Sequence, residues 1–236
     1  MRIIGVEVAG GSVVFTRVLP HGADPHRLAW EKGFRIIRPL SVTGRAPDLT
    51  LTLQIARHGR RINYRALQRT RSTDPGLDLS AGAPAARQRL AAYAITLSPL
   101  GILGTQFSDK TAVPGLWGLP GGGIDLGENP AEAVVRELQE ESGQSLEISH
   151  LLDVQTDHWI GRSPAGFVED FHAVRIIFAG RCPDPSEPIV NDVGGTTSAA
   201  AWIPLTRWDA TSWSSGARAL LERHLQTLVD AWRPAV

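Results

Sequence analysis

Hydrophobic positions recur along this chain mostly with the period of a strand. MRIIGVEVA and GSVVFTRVL are β-branched runs separated by Gly10-Gly11, a spacing that predicts a hairpin. FRIIRPLSV follows, and then Leu49, Leu51, Leu53 and Ile55 alternate with Thr50, Thr52 and Gln54, which predicts a strand with one buried face. Further on, LAAYAITLS (90–98) and GILGTQFS (101–108) flank Pro99-Leu100 as a second hairpin. Residues 146–160 and 166–181 read as long strands and 198–205 as another. A glycine-rich loop over 114–128 precedes a helix at about 130–142. Two helical patterns, about 206–213 and 215–231, end the chain, the second with Ala217, Leu220, Leu221, Leu225 and Leu228 on one face. Strands and helices in this order predict an α/β or α+β sandwich preceded by a strand-rich N-terminal region.

The central helix has well-marked ends. Asn129 caps it, Pro130 suits the first turn, Glu132 completes a capping box, and Gly143 stops it in a left-handed conformation. Ala131, Val134, Val135 and Leu138 form the expected apolar stripe, with Glu137, Glu140 and Glu141 beside it at i, i+3 and i+4.

Composition narrows the reading. With 236 residues, 42% hydrophobic and 20% charged, the chain is long enough for one large domain or two small ones. One cysteine, Cys182, excludes an internal disulfide and a thiolate cluster. The N-terminal run is broken by Glu7 and glycines, unlike a signal-peptide core, and no apolar run approaches a membrane span. A cytoplasmic protein is the expectation, with no membrane association. Zero net charge hides an asymmetry: residues 1–86 carry 13 basic against 6 acidic groups, and residues 87–236 carry 11 against 18. A Ser/Gly/Pro/Ala-rich stretch over 69–87 reads as a linker, so the expected parts are a basic accessory region over 1–85 and a second domain over 86–236. His58-Gly59-Arg60-Arg61 reads either as a solvated basic turn or as part of a lobe that holds an anion. Nothing matches a nucleic-acid-binding motif, and nucleic acid is not expected as a partner.

Chemistry concentrates on the central helix. Three carboxylates at helical spacing repel one another, and they lie near a C-terminus, where the helix dipole disfavours negative charge. Arg136 can neutralise one of them; a hard divalent cation such as Mg²⁺ or Mn²⁺ would account for the rest. Zinc suits this cluster less, with no cysteine or histidine beside the acids.

Gly122, Glu128, Arg136-Glu137-Leu138, Glu140-Glu141 and Gly143 reproduce the spacing G-x5-E-x7-R-E-U-x-E-E-x-G-U, U being a bulky apolar residue. Through these residues the chain resembles the Nudix hydrolase family, departing only at Gln144 in the last apolar position. AAYAITLSPLGILGTQFS, GLWGLPGGG and FHAVRIIFAGR with GGTTSAAAWIPL resemble flanking parts of the family, which extends the likeness to about 87–232. The resemblance implies an α/β/α sandwich with a mixed sheet. It implies a metal-dependent enzyme in which water attacks phosphorus of a nucleoside diphosphate linked to another group. Glu137, Glu140 and Glu141 would then bind metal, helped by the carbonyl of Gly121. Glu128 would bind a water-coordinated metal or brace the loop, and Arg136 would hold Glu137. The glycines at 121–123, including Gly122 and Gly123, would let the backbone approach metal and phosphate.

The general base is open between a helix glutamate (Glu137 or Glu140) and a later carboxylate (Asp192, or Glu169-Asp170). Trp117 or Trp159 could stack on a base, while Trp202, Trp208 and Trp213 are expected in the core. Arg175 and the strand around His172 could line the substrate cleft, although a strand histidine is more often simply hydrogen-bonded. The proline that ADP-ribose-preferring relatives carry some sixteen residues past the motif is not present; Ile160 and Gly161 lie there, and Pro164 comes later. Motifs of coenzyme A and NADH pyrophosphatases are not visible, and AVVRELQEE is similar to MutT-type triphosphate pyrophosphohydrolases. A nucleotide-type substrate is therefore expected, with a nucleotide-sensing module of little turnover as the alternative. In some family members an N-terminal sheet mediates dimerisation, which makes a homodimer an expectation here.

Overall fold

The computed structural model describes residues 1–59, 72–77, 83–162, 166–192 and 194–232. Two compact units make up the chain: Met1–Ala91 with Gly123–Pro130 and Leu151–Ile176, and Ala92–Gly122 with Ala131–His150 and Ile177–Val236.

In the first unit, β1 (Arg2–Val6), β2 (Val13–Val18), β3 (Phe34–Arg45) and β4 (Asp48–Arg57) form a sheet in the order β2-β1-β4-β3. β1 and β2 are the expected hairpin, turned at Gly10 with φ +72°. β1 runs parallel to β4, from Arg2 opposite Thr50 to Val6 opposite Gln54. Parallel strands need a long connection, here supplied by β2, helix α1 (Pro25–Glu31) and β3. The alternation in β4 has its predicted result: Leu49, Leu51, Leu53 and Ile55 are each at most 1% exposed. Gly5 is required under this layer, since a Cβ there would fall 2.5 Å from the Phe15 ring. Helix α1 was not foreseen, although its signal is present: Asp24 caps it by accepting from the His26 amide at 2.6 Å, and Pro25 opens its first turn. His58 stacks on Trp30, with ring centroids 3.8 Å apart. Arg60, Arg61 and Pro164, with parts of the expected linker, lie outside the described residues.

The larger sheet is mixed. Its strand order is β12 (Thr197–Ile203), β7 (Gly101–Phe107), β6 (Ala85–Ser98), β11 (Val168–Arg181), β10 (Glu147–Arg162) and β5 (Ser72–Thr73). Short β8 (Trp117–Gly118) pairs with β7, and β9 (Gly121–Gly123) pairs with β6. The expected β6–β7 hairpin closes with Leu97 opposite Ile102. Helices α2 (Pro130–Ser142) and α3 (Ser215–Trp232) match the expected positions, and Ala217, Leu220, Leu221 and Leu225 are the buried face of α3.

Three expectations need correction. Residues 206–213 form turns rather than a helix. Their carbonyls are taken by side chains instead: the Trp213 indole donates to Trp208 O at 2.7 Å, and Arg218 donates to Asp209 O and Thr211 O. Of the three tryptophans assigned to the core, only Trp213 is buried; Trp202 and Trp208 are half-buried. On α2 the buried face is rotated from the expected stripe, with Ala133, Val134 and Leu138 fully buried and Val135 40% exposed. No described helix is long and apolar enough to cross a membrane.

Candidate functional site

Helix α2 ends as its sequence predicts, with Gly143 at φ +67° and its amide donating to Gln139 O at 2.9 Å. The rotated apolar face carries Glu141 with it, so this carboxylate is only 8% exposed. Its two oxygens are held separately: the Gly121 amide donates to Oε2 at 2.9 Å, and the Thr197 hydroxyl to Oε1 at 2.5 Å. Burial pushes the Glu141 carboxyl up to about 7 against those two hydrogen bonds, and the charges of Glu137 and Asp192 add to the rise.

Glu137 and Glu140 both reach Arg136. One guanidinium nitrogen donates to Glu137 Oε1 at 3.0 Å and to Glu140 Oε2 at 3.1 Å. Arg136 therefore braces two carboxylates rather than one, which relieves part of the like-charge repulsion on this turn. Gly122 leaves the room that Glu137 occupies, since a Cβ there would lie 2.5 Å from its carboxyl carbon. Gly121, at φ +140°, is equally constrained, because a Cβ would collide with the carbonyl of Ala92.

The loop carrying Asp192 closes over the end of α2. Glu140 O accepts from the Asn191 amide at 2.8 Å and the Asp192 amide at 3.0 Å, and Asn191 Nδ2 donates to Gln139 O. These bonds satisfy carbonyls that the helix end would leave orphaned. Gln144, the departure from the family spacing, is 3% exposed. Its amide accepts from Ser186 N at 2.9 Å and donates to Ser186 Oγ at 3.0 Å, so a polar clamp stands in place of an apolar contact.

The remaining candidates have partners of their own. Glu128 accepts from the Asp125 amide at 3.0 Å, and its carbonyl accepts from the Ala46 amide, so it braces its own loop. A Cβ on Gly123 would lie 2.9 Å from the Arg89 guanidinium. Trp117 is half-buried, tied by backbone bonds to Ser212 and Ser214. Arg175 forms an ion pair with Asp157, and Glu169 accepts from Arg87 at 3.2 Å. Trp159 packs on Phe171 with ring centroids 4.5 Å apart. Asp170 is held between His21 and His158, and His172 is fully buried. Two partners show why sequence reasoning does not find such contacts. Thr197, at the start of a strand, gives no signal of its role in the sequence, and His21 meets Asp170 only through the fold.

The α2 carboxylates could, with the Gly121 carbonyl, offer an all-oxygen donor set, which would suit a hard divalent cation. The room left by Gly122 and the desolvated Glu141 fit that chemistry, since a cation would favour the ionised carboxylate.

The family model described as NUDIX domain matches residues 87–223. A Bacillus subtilis protein named "Putative ADP-ribose pyrophosphatase YjhB" is 37% identical over 92 residues, 39% of this chain and 40% of its own length. Nucleoside triphosphatase NudI of an Enterobacter species is 50% identical over 42 residues, 18% of this chain and 30% of its own. The chain thus spans less than half the length of these relatives. Among solved structures, a MutT NUDIX hydrolase from Burkholderia pseudomallei is 28% identical, with a TM-score of 0.46 over 58% of this chain and 98% of that one.

Proposed function

The chain belongs to the NUDIX family, and from that membership we propose that it is a pyrophosphohydrolase acting on a nucleoside diphosphate linked to a further group. The observation that carries this reading is the arrangement at the end of α2. A buried carboxylate is aimed by Gly121 and Thr197, and two more are braced by one arginine.

Glu137, Glu140 and Glu141, with the carbonyl of Gly121 and with Glu128 through water, would hold Mg²⁺ or Mn²⁺. When bound, such an ion neutralises phosphate charge and lowers the pKa of a coordinated water. This chain's own residues do the rest. Arg136 fixes the carboxylates of Glu137 and Glu140, so little reorganisation is needed when phosphate arrives. Gly122 and Gly123, having no side chains, would let the backbone approach metal and phosphate. Trp117 and Arg175 are proposed to contact the substrate, Arg175 while paired with Asp157. A proton acceptor is proposed among Glu137, Glu140 and Asp192, the last carried by the loop that bonds Glu140 O.

Residues 1–85 are proposed as an accessory region and 86–236 as the hydrolase domain, in a cytoplasmic protein that pairs through its N-terminal sheet. The names of the two relatives put ADP-ribose and nucleoside triphosphates among the first substrates to try. The test is a hydrolysis screen with Mg²⁺ and with Mn²⁺ over triphosphates, ADP-ribose, nucleotide sugars and dinucleoside polyphosphates, with Glu141→Gln as control. Metal-dependent turnover lost in the variant is expected. Binding without turnover across the panel would overturn the enzymatic reading in favour of a sensor.

A further inference from the structure

Away from the α2 carboxylates, three donor atoms converge from three separate elements. His21 lies in the turn after β2, His158 on β10 and Asp170 on β11, and their ligand atoms all lie within 4.8 Å of one another. His21 Nε2 is 3.0 Å and His158 Nε2 is 2.5 Å from the same oxygen, Asp170 Oδ1. We propose that His21, His158 and Asp170 form a second metal site, selective for a borderline divalent ion of the zinc class. The site is independent of the proposed hydrolysis.

The chemistry of the donors decides the class of ion. Two imidazole nitrogens and one carboxylate oxygen are the ligand types of zinc and its neighbours, whereas Mg²⁺ and Ca²⁺ are held by oxygen. The two imidazoles stand edge to face, with centroids 5.3 Å apart and planes at 86°, while both present Nε2 to the same carboxylate oxygen. A plain hydrogen-bonded triad would need a proton on each Nε2. An ion would replace those protons on the same three atoms, with the His158–Asp170 pair widening by about 0.8 Å and the His21–Asp170 pair by about 0.3 Å to the roughly 3.3 Å edge of a tetrahedral site. Side-chain exposures of 28%, 19% and 18% leave an entry path from solvent while removing most of the competing water.

The surroundings are built for this convergence. Gly22 has φ +72°, and a Cβ on it would fall 2.5 Å from His158 Cε1, so only glycine lets the turn at Pro20–Ala23 set His21 down on His158. Behind the donors, His172 is fully buried, with ring centroids 5.6 and 6.0 Å from His21 and His158. Its Nδ1 accepts from Gln88 Nε2 at 2.8 Å.

The test uses the full chain, loaded with Zn²⁺ and desalted. One equivalent is expected to remain in the protein and in a Glu140→Gln/Glu141→Gln variant. His21→Gln and Asp170→Asn should lose it, with affinity weakened by at least about 100-fold. X-ray absorption of the zinc-loaded unmodified protein should show imidazole nitrogen at about 2.0–2.1 Å; this readout does not depend on any variant folding. Equal zinc retention in His21→Gln and Asp170→Asn, or a zinc shell without imidazole, would overturn the proposal.

Discussion

Two polar clusters in this molecule solve opposite problems. On α2, one helical turn and its neighbour carry Arg136, Glu137, Glu140 and Glu141, and the difficulty is too much charge of one sign in one place. Arg136 bridges two of the acids, and burial holds the third near its protonated form. Around Asp170 the difficulty is distance along the chain: His21 and Asp170 are separated by 149 positions. Burial drives Glu141 up and His172 down, in both cases toward the neutral form. Asp170, with two imidazoles on it, is instead held below the usual carboxylate range despite partial burial. Whether a half-hidden acid stays ionised therefore depends on whether a compensating partner reaches it.

Turnover separates the two clusters most strongly. Glu141→Gln removes an anionic ligand while preserving shape, and it should lower the metal-dependent rate by on the order of 10³-fold, or about 4 kcal/mol. A thermal melt should show the variant folded; wild-type turnover in a folded variant would separate this carboxylate from the chemistry.

Acid and base dependence of stability comes next. Glu141 has a folded pKa raised from 4.5 to about 7, so the folded chain keeps a proton that the unfolded chain releases. Its contribution is whole below about 4.5 and is lost as pH rises toward 7. His172 is lowered from 6.5 to about 4, so its contribution is whole above 6.5 and is lost as pH falls toward 4. Each is worth about 3 kcal/mol at most, and the two slopes oppose each other between about pH 4.5 and 6.5. Urea unfolding in EDTA across that window should therefore be steeper toward acid in Glu141→Gln and should reverse slope in His172→Gln. Parallel profiles in the two variants would sink the assignment of opposite buried charges.

A smaller effect sharpens the difference between the α2 end and the family spacing. Gln144→Leu restores the apolar residue but leaves Ser186 N without its acceptor, and should cost about 1–2 kcal/mol in chemical denaturation. Equal or greater stability would mean the clamp is dispensable. Smallest is Gly143→Ala, which forces a side chain into φ +67° and should cost about 1 kcal/mol by the same measurement.

Much of this was legible from residue order because the interactions are local. The hairpin at Gly10, the alternation over Leu49–Ile55, the stop at Gly143 and the glutamates at i, i+3 and i+4 all follow from periods and caps that act within a few residues. Even the missed helix α1 carries its cap at Asp24. What was misread depended on where neighbours lie. Val135 was placed in the stripe because its spacing allows it, but the buried face of α2 turned toward Ala133 and Leu138. Residues 206–213 have a helical pattern, yet side chains of Thr211, Trp213 and Arg218 take the carbonyls that a helix would use.

By itself, then, residue order determined the strand and helix periods, the helix caps and the family's charged spacing, since each is set by the geometry of a short stretch of backbone. Only the tertiary structure decided that Glu141 points inward between Gly121 and Thr197, that Gln144 clamps Ser186, and that His21, His158 and Asp170 share one point. Those outcomes depend on which distant backbone and side-chain atoms desolvate or bond a given group, and no local period encodes that.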